Sequence, residues 1–211
     1  MMLRSIKFVV ADKNTEFTFR GFLERERFHQ SLGCGGFGFR ADQDLLVAVG
    51  KNDPGLYAQA QQFAKGARGT HEHLVIALDA EWQGSPGVAK IRTDIETACQ
   101  RESWSASDVC VVVFEPEIEE WIWQDNLNVE RAIGHQGPPS LRGLLASQDV
   151  WPATSAKPPR PKEALEEVAR RNRVARSSDL YRRITSRVSV SGCVAPSFLH
   201  LVEALRRWYP A

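Results

Sequence analysis

Four stretches of the chain are apolar at nearly every position: residues 5–11 (SIKFVVA), 45–49 (LLVAV), 74–78 (LVIAL) and 109–114 (VCVVVF). Short unalternating runs rich in β-branched residues read as strands covered on both faces. Between them the apolar period changes to that of a helix. Phe19, Phe22 and Leu23 follow the first run, Leu56, Ala60 and Phe63 fall within 56–64, and Val88, Ile91, Ile95 and Ala98 within 88–99. Strands separated by helices require crossover connections, so the pattern predicts an α/β fold with a mainly parallel four-stranded sheet flanked by helices. Six prolines between Gly137 and Pro161 mark a surface connection around one short helix at 140–146. Beyond it the pattern predicts helices over 162–176, 178–185 and 196–208, with a β-like SRVSVSG at 186–192. The expected organisation is a core over 1–136, a Pro-rich connection over 137–161 and an Arg-rich helical extension over 162–211 that packs on the core.

Length and composition place 211 residues with 43% hydrophobic and 25% charged content among single globular domains, and exclude collagen-like, coiled-coil and disulfide-scaffold architectures. The net charge of +1 conceals a division. Residues 1–150 hold 15 Lys and Arg against 21 Asp and Glu, whereas residues 151–211 hold 12 against 5. Such asymmetry points to nucleic-acid contact or to association between oppositely charged faces. The opening residues lack a secretory apolar core, and no eighteen apolar residues run together, so neither export nor a membrane span is expected. Cys34, Cys99, Cys110 and Cys193 form no Cys-x-x-Cys pair and read as free thiols of a cytoplasmic protein.

Ligands of open parallel sheets bind at the carboxyl ends of the strands. Acids stand at three of those ends: Asp12 after the first, Asp79 and Glu81 after the third, and Glu115, Glu117, Glu119 and Glu120 after the fourth. Carboxylates gathered there suit Mg²⁺, which takes one or two of them together with waters and phosphate oxygens; solvated loop acids and stabilised helix starts are the competing explanation. Other features carry less. Gly33 to Gly38 match G-x-G-x-x-G but precede a strand instead of following one, so a surface turn or short extended arm is expected there, not a dinucleotide site. His71 and His73 lack a third metal partner, and Trp121 and Trp123 read as core.

The segments VVADKNTEFTFRGFL, LVIALDAEWQG and FEPEIEEWIW resemble the acidic motifs of the Toprim domain. They are most similar to the small Toprim-like proteins found beside ATPases in bacterial anti-phage islands, among them the RloB-like proteins and components of methylation-associated defence. Lys157-Pro158, Tyr181-Arg182-Arg183-Ile184 and Cys193-x-x-Pro196-Ser197-Phe198 extend the similarity toward the C-terminus. The resemblance implies a Toprim-like, Rossmann-like fold in which Asp12, Asp79 and Glu81 hold Mg²⁺, and Glu16 and Glu119 orient a water or act as general base. Three positions depart from the family pattern. Asp12 stands for Glu, Glu81 for Asp, and Lys13 for Gly, which puts an ammonium beside the expected ion to bind phosphate or to replace the metal.

Nine basic residues lie between Arg160 and Arg187, and Arg dominates, which favours bidentate contacts to phosphate or carboxylate. Arg170, Arg171, Arg173, Arg176, Arg182 and Arg183 are the expected contacts to DNA, RNA or an acidic partner. A solvated helix held by pairs such as Glu166 with Arg170 and Glu167 with Arg171 would use the same residues. Two functions follow as expectations: a Mg²⁺-dependent nuclease of anti-phage defence, or a catalytically degenerate subunit docking to an ATPase, methyltransferase or other defence protein.

Overall fold

The structure, a computed structural model, describes residues 3–48, 50 and 52–211. In chain order the elements are β1 (Arg4–Val10), α1 (Lys13–Leu23), α2 (Phe28–Leu32), α3 (Ala41–Asp44), β2 (Leu45–Val47), α4 (Asp53–Ala67), β3 (His71–Asp79), α5 (Val88–Arg101), β4 (Val109–Phe114), α6 (Glu119–Ile122), α7 (Leu127–Ala132), α8 (Leu141–Ser147), α9 (Pro161–Arg171), α10 (Ser178–Thr185) and α11 (Pro196–Trp208). The strands pair in the order β2-β1-β3-β4, all parallel, so the α/β prediction holds. Val49, the expected end of the second strand, lies outside the described residues.

The unalternating strands are explained by the two layers they serve. Successive side chains of a strand point to opposite faces. Phe8, Val10, Val75, Ala77, Val112 and Phe114 join one core with Phe19 and Phe22 of α1, Tyr181 and Ile184 of α10, and Phe198 and Leu205 of α11. Val9, Leu74, Ile76, Leu78, Val111 and Val113 join the other, with Leu56 and Ala60 of α4 and Ile91 and Ile95 of α5. The C-terminal extension is therefore part of the cover of one sheet face. Trp121 and Trp123 are core residues, and their indole N–H groups donate to Ser197 Oγ at 2.8 Å and to the Pro161 carbonyl at 2.7 Å.

Two expectations for the extension are corrected. The helix expected to reach Arg176 stops at Arg171. Arg173 takes a left-handed conformation at φ 55°, and the Val174 amide returns to the Ala169 carbonyl at 2.9 Å, the bonding of a Schellman stop. The SRVSVSG segment forms no strand. Its alternation survives in the burial of Val188 and Val190, but the Val188 carbonyl accepts from Arg25 Nη1 at 2.9 Å instead of from a neighbouring strand. The Gly33 to Gly38 segment is an extended arm: the Gly35 amide donates to the Tyr209 carbonyl at 2.7 Å and Phe37 stacks on Tyr209.

Helices α1 and α10 cross in close contact at Gly21. A Cβ there would stand 1.9 Å from Thr185 Oγ1 and 2.8 Å from the Arg182 carbonyl oxygen. Gly66, on the exposed side of α4, meets nothing within 4 Å. Gly21→Val should therefore lose about 1–3 kcal/mol of stability through overpacking, whereas Gly66→Ala should gain about 0.5–1 kcal/mol. Urea unfolding of the two variants checks both signs.

Candidate functional site at the carboxyl edge of the sheet

The chain runs from β1 outward to β2 on one side and, later, to β3 on the other, so the strand order reverses between β1 and β3. Their carboxyl ends form the crevice where an open parallel sheet binds ligands. Asp12 lies at the first of these ends. It serves as N-cap of α1, its Oδ1 accepting the Thr15 amide at 2.8 Å, so the residue that leaves the strand also starts the helix. Asp79 closes β3, and its Oδ1 accepts the amide of Ile118 at 2.9 Å from the segment after β4. The Asp79 amide in turn donates to Asp53 Oδ1 at 2.8 Å. Asp53 opens α4 beyond the carboxyl end of β2, so each of the four strands sends an acid to one edge.

These acids are undercompensated. Burial pushes Asp79 well above the usual carboxylate range, and the charges of Asp53, Glu119 and Asp12 push it further, against the single amide bond from Ile118. Asp53 is raised by burial and by Asp12, with Lys162 and the Asp79 amide opposing. The contrast at the other end of the sheet is direct. Asp44 is fully buried, yet it is held below the ordinary value, because Arg4, the Arg40 amide and His71 outweigh the cost of burial.

The C-terminal extension supplies the cations of the carboxyl edge. Lys162 Nζ lies 3.5 Å from Glu117 Oε1; burial works against its ammonium, but Glu117, Glu119 and Asp79 prevail and raise its pKa. Glu119 is 2% exposed and its Oε1 accepts the Tyr181 hydroxyl at 2.5 Å, with Arg176 Nη2 at 3.6 Å. Burial, then Glu119, hold the Tyr181 phenol protonated. Nearby, burial lifts Glu120 to about 7, with Lys157 opposing and Glu115 assisting the shift.

The structure distributes the expected site residues unevenly. Asp12, Asp79 and Glu119 converge electrostatically, and Asp53, Lys162 and Tyr181 join them. Glu81 is exposed and joins no hydrogen bond or ion pair among the described residues. Glu16 is buried but committed to Lys13 at 2.7 Å and Arg20 at 2.9 Å, so Lys13 neutralises Glu16 instead of facing the strand ends. Among the described residues no three His, Cys, Asp or Glu side chains form a group able to hold a metal ion by themselves. Of the basic run, Arg176 reaches Glu119 and Glu166, Arg170 pairs with Glu167, Arg182 with Glu24 and Arg183 with Asp179. Arg171 and Arg173 are exposed and make no ion pair among the described residues. His71 binds Asp44 and His73 stacks on Trp208 with ring centroids 4.3 Å apart. Asp53 had a legible signal, since Asn52-Asp53-Pro54-Gly55 is a helix start directly after a strand. Lys162 and Tyr181 had none, because their place depends on tertiary packing.

Comparison of the chain with family models, with curated proteins and with solved structures finds no match. Among the described residues no helix is long and apolar enough to cross a membrane.

Because Asp79 and Asp53 are raised, the folded chain retains protons that the unfolded chain releases, and their burdens on stability are absent at low pH and grow as pH rises past about 4. Asp79→Asn keeps an acceptor for the Ile118 amide and removes the charge. Its melting temperature should exceed that of the parent at neutral pH, with the gap closing toward acid pH; a deficit of constant size across that range would contradict the assignment.

Proposed function

We propose that the carboxyl edge handles a phosphodiester with the help of Mg²⁺, and that the chain is a Toprim-like nuclease of bacterial anti-phage defence. The observation that carries the chemistry is the linked pair Asp53 and Asp79 at the point where the strand order reverses, both raised by burial, Asp53 further by the charge of Asp12 and Asp79 by those of Asp53, Glu119 and Asp12. The defence setting rests on the resemblance of the three acidic segments alone. The donor set fits the ion in type: Asp12, Asp53 and Asp79 are hard oxygen donors, and each spends Oδ1 on a backbone amide. Mg²⁺ needs only one or two carboxylates besides water and substrate oxygens. Glu81, exposed and without a hydrogen bond or ion pair among the described residues, is left out of the set in this reading. Bound there, the ion would supply Lewis acidity toward a phosphoryl oxygen.

The chain's own residues have separable parts. Asp79 must give up its proton for the site to carry full negative charge. Lys162 and Arg176 bring positive charge to the same edge, suited to phosphate oxygens. Tyr181 holds Glu119 by its hydroxyl, which makes Glu119 a positioning residue in this reading and leaves Glu16, tied to Lys13 and Arg20, outside the chemistry.

A second reading is favoured by the same cations. If Lys162 and Arg176 permanently take the place of a metal, the edge is a degenerate site and the chain a docking subunit for an ATPase, methyltransferase or other defence protein. Two measurements separate these. Mg²⁺ or Mn²⁺ should raise the melting temperature of the parent protein at neutral pH, less so at acid pH where protons compete, and not at all in Asp79→Asn. Divalent-dependent nicking of DNA or RNA oligonucleotides should follow the same variant. No thermal shift and no cleavage with any divalent ion would leave the docking reading, in which the chain co-purifies with its neighbours.

A further inference from the structure

Away from the acidic edge, three hollows in the surface follow one another around the C-terminal end of α10. The first is lined by Arg131 of α7 and by Arg183 and Arg187, and it includes Ser186. Ser186 also borders the second, which holds Arg20, Arg25 and Arg182. Arg25 in turn borders the third, where Arg27 and His29 stand with the rings of Phe28, Phe37 and Phe39. Among the lining residues Glu24 is the one carboxylate. Seven guanidiniums thus line a track of three hollows linked by shared residues, which turns from basic to basic and aromatic.

Not all of that charge is free. Arg20 and Arg182 share Glu24, Arg183 meets Asp179 at 3.4 Å, and Arg27 lies 3.7 Å from Glu26. Arg131 and Arg187 are exposed and make no ion pair among the described residues. Arg25 spends its guanidinium on the carbonyls of Thr185 and Val188 and on the Phe28 ring, contacts that leave its charge uncancelled. Its hydrogen bonds also pin the backbone on either side of Arg187 from one direction. Asn128 Nδ2 donates to the Arg187 carbonyl at 2.9 Å and pins it from the other. The first hollow is therefore built on a held backbone, which lowers the ordering cost of binding an anion there.

We propose that this track binds single-stranded nucleic acid, with backbone phosphates on Arg131 and Arg187 and bases against the solvent-facing parts of Phe37 and Phe39, half-buried rings held in place by Tyr209 and Phe8. Arginine matches phosphate oxygens by its planar fork of donors, and aromatic rings beside a basic groove stack unpaired bases without regard to sequence. A duplex would offer the phosphates but not the base faces, and an acidic polypeptide would use the charge but leave the rings idle. The expected footprint differs from the one read in the sequence. Arg170 and Arg176 are occupied by Glu167 and by Glu119 and Glu166, and Arg170, Arg171, Arg173 and Arg176 do not line the track. The proposal needs no metal, so its failure and that of the nuclease reading are distinguishable.

The test is fluorescence anisotropy of the full chain in EDTA, at about 50 mM salt, with labelled oligo-dT and oligo-rU of about 20 nucleotides, a duplex of the same length, and poly-glutamate as competitor. Single strands should bind more tightly than the duplex and resist poly-glutamate. The double variant Arg131→Glu, Arg187→Glu should lose at least about tenfold in affinity and flatten the salt dependence by about 0.7 per lost phosphate contact. Phe37→Leu should weaken binding with the salt slope unchanged, and Arg171→Glu should bind as the parent does. Absence of binding, equal affinity for duplex, displacement by poly-glutamate, or a loss in Arg171→Glu as large as in the double variant would each overturn the proposal. Circular dichroism of the variants, whose substituted arginines are exposed, verifies that each is folded.

Discussion

The accumulation of negative charge at the carboxyl edge of a parallel sheet is the constraint around which the molecule is arranged. Parallel strands covered on both faces must all end at the same border, and here every one of them delivers an acid to it. Burying carboxylates without partners is costly, and three remedies are visible. Backbone amides of Thr15, Asp79 and Ile118 each take one oxygen. Asp79 and Asp53 hold their protons more tightly than free carboxyls do. Cations arrive from the C-terminal third as Lys162 and Arg176. Asp44 shows what complete compensation looks like within the same sheet: two guanidinium bonds, an amide and an imidazole leave it charged at no disadvantage. The carboxyl edge stops short of that state, and the proposed metal reading rests on the shortfall.

The C-terminal extension therefore does two jobs through the same helices. Leu180, Tyr181 and Ile184 of α10 complete an apolar face, while the Tyr181 hydroxyl crosses to Glu119 and fixes its orientation. On the other side of that helix, Arg182 and Arg183 stand on the basic track. One short helix thus connects the core, the acidic edge and the arginine surface, and Gly21 is small because α1 must approach α10 closely for this to happen.

The fold was legible because its strands are double-covered and its helices keep their period; Leu56 with Ala60 and Ile91 with Ile95 point to the core they were read to face. The alternation of Val188 and Val190 was read as a strand because burial of every second residue is all that a strand pattern reports, and it cannot report a hydrogen-bonding neighbour. The end of α9 is hidden in the sequence because its stop is made by a left-handed Arg173 where glycine is the usual signal. Of the site, Asp12, Asp79 and Glu119 follow from strand ends plus topology. Glu81 lies in the turn beyond Asp79, where the chain faces solvent, an exposure that its place after a strand does not reveal. Lys162 and Tyr181 were illegible in principle, since only the packing of the extension brings them to the edge. The arginines were legible as a charge excess but not as a surface, since four of the six singled out are occupied by glutamates or aspartate.

The closeness of α1 and α10 also sets an order of events during synthesis. The two helices are separated by more than 150 positions in the chain, and the arm at Gly35 closes on Tyr209 across a comparable span. The α4 and α5 side of the sheet can assemble from nearby segments as they emerge. The opposite face, with Phe8, Phe19, Phe22 and Phe114, stays only partly covered, by α1 and residues such as Phe28 and Trp121, until α10 and α11 have been made. That interval leaves part of an aromatic surface exposed on a growing chain, the condition under which nascent proteins engage chaperones or aggregate.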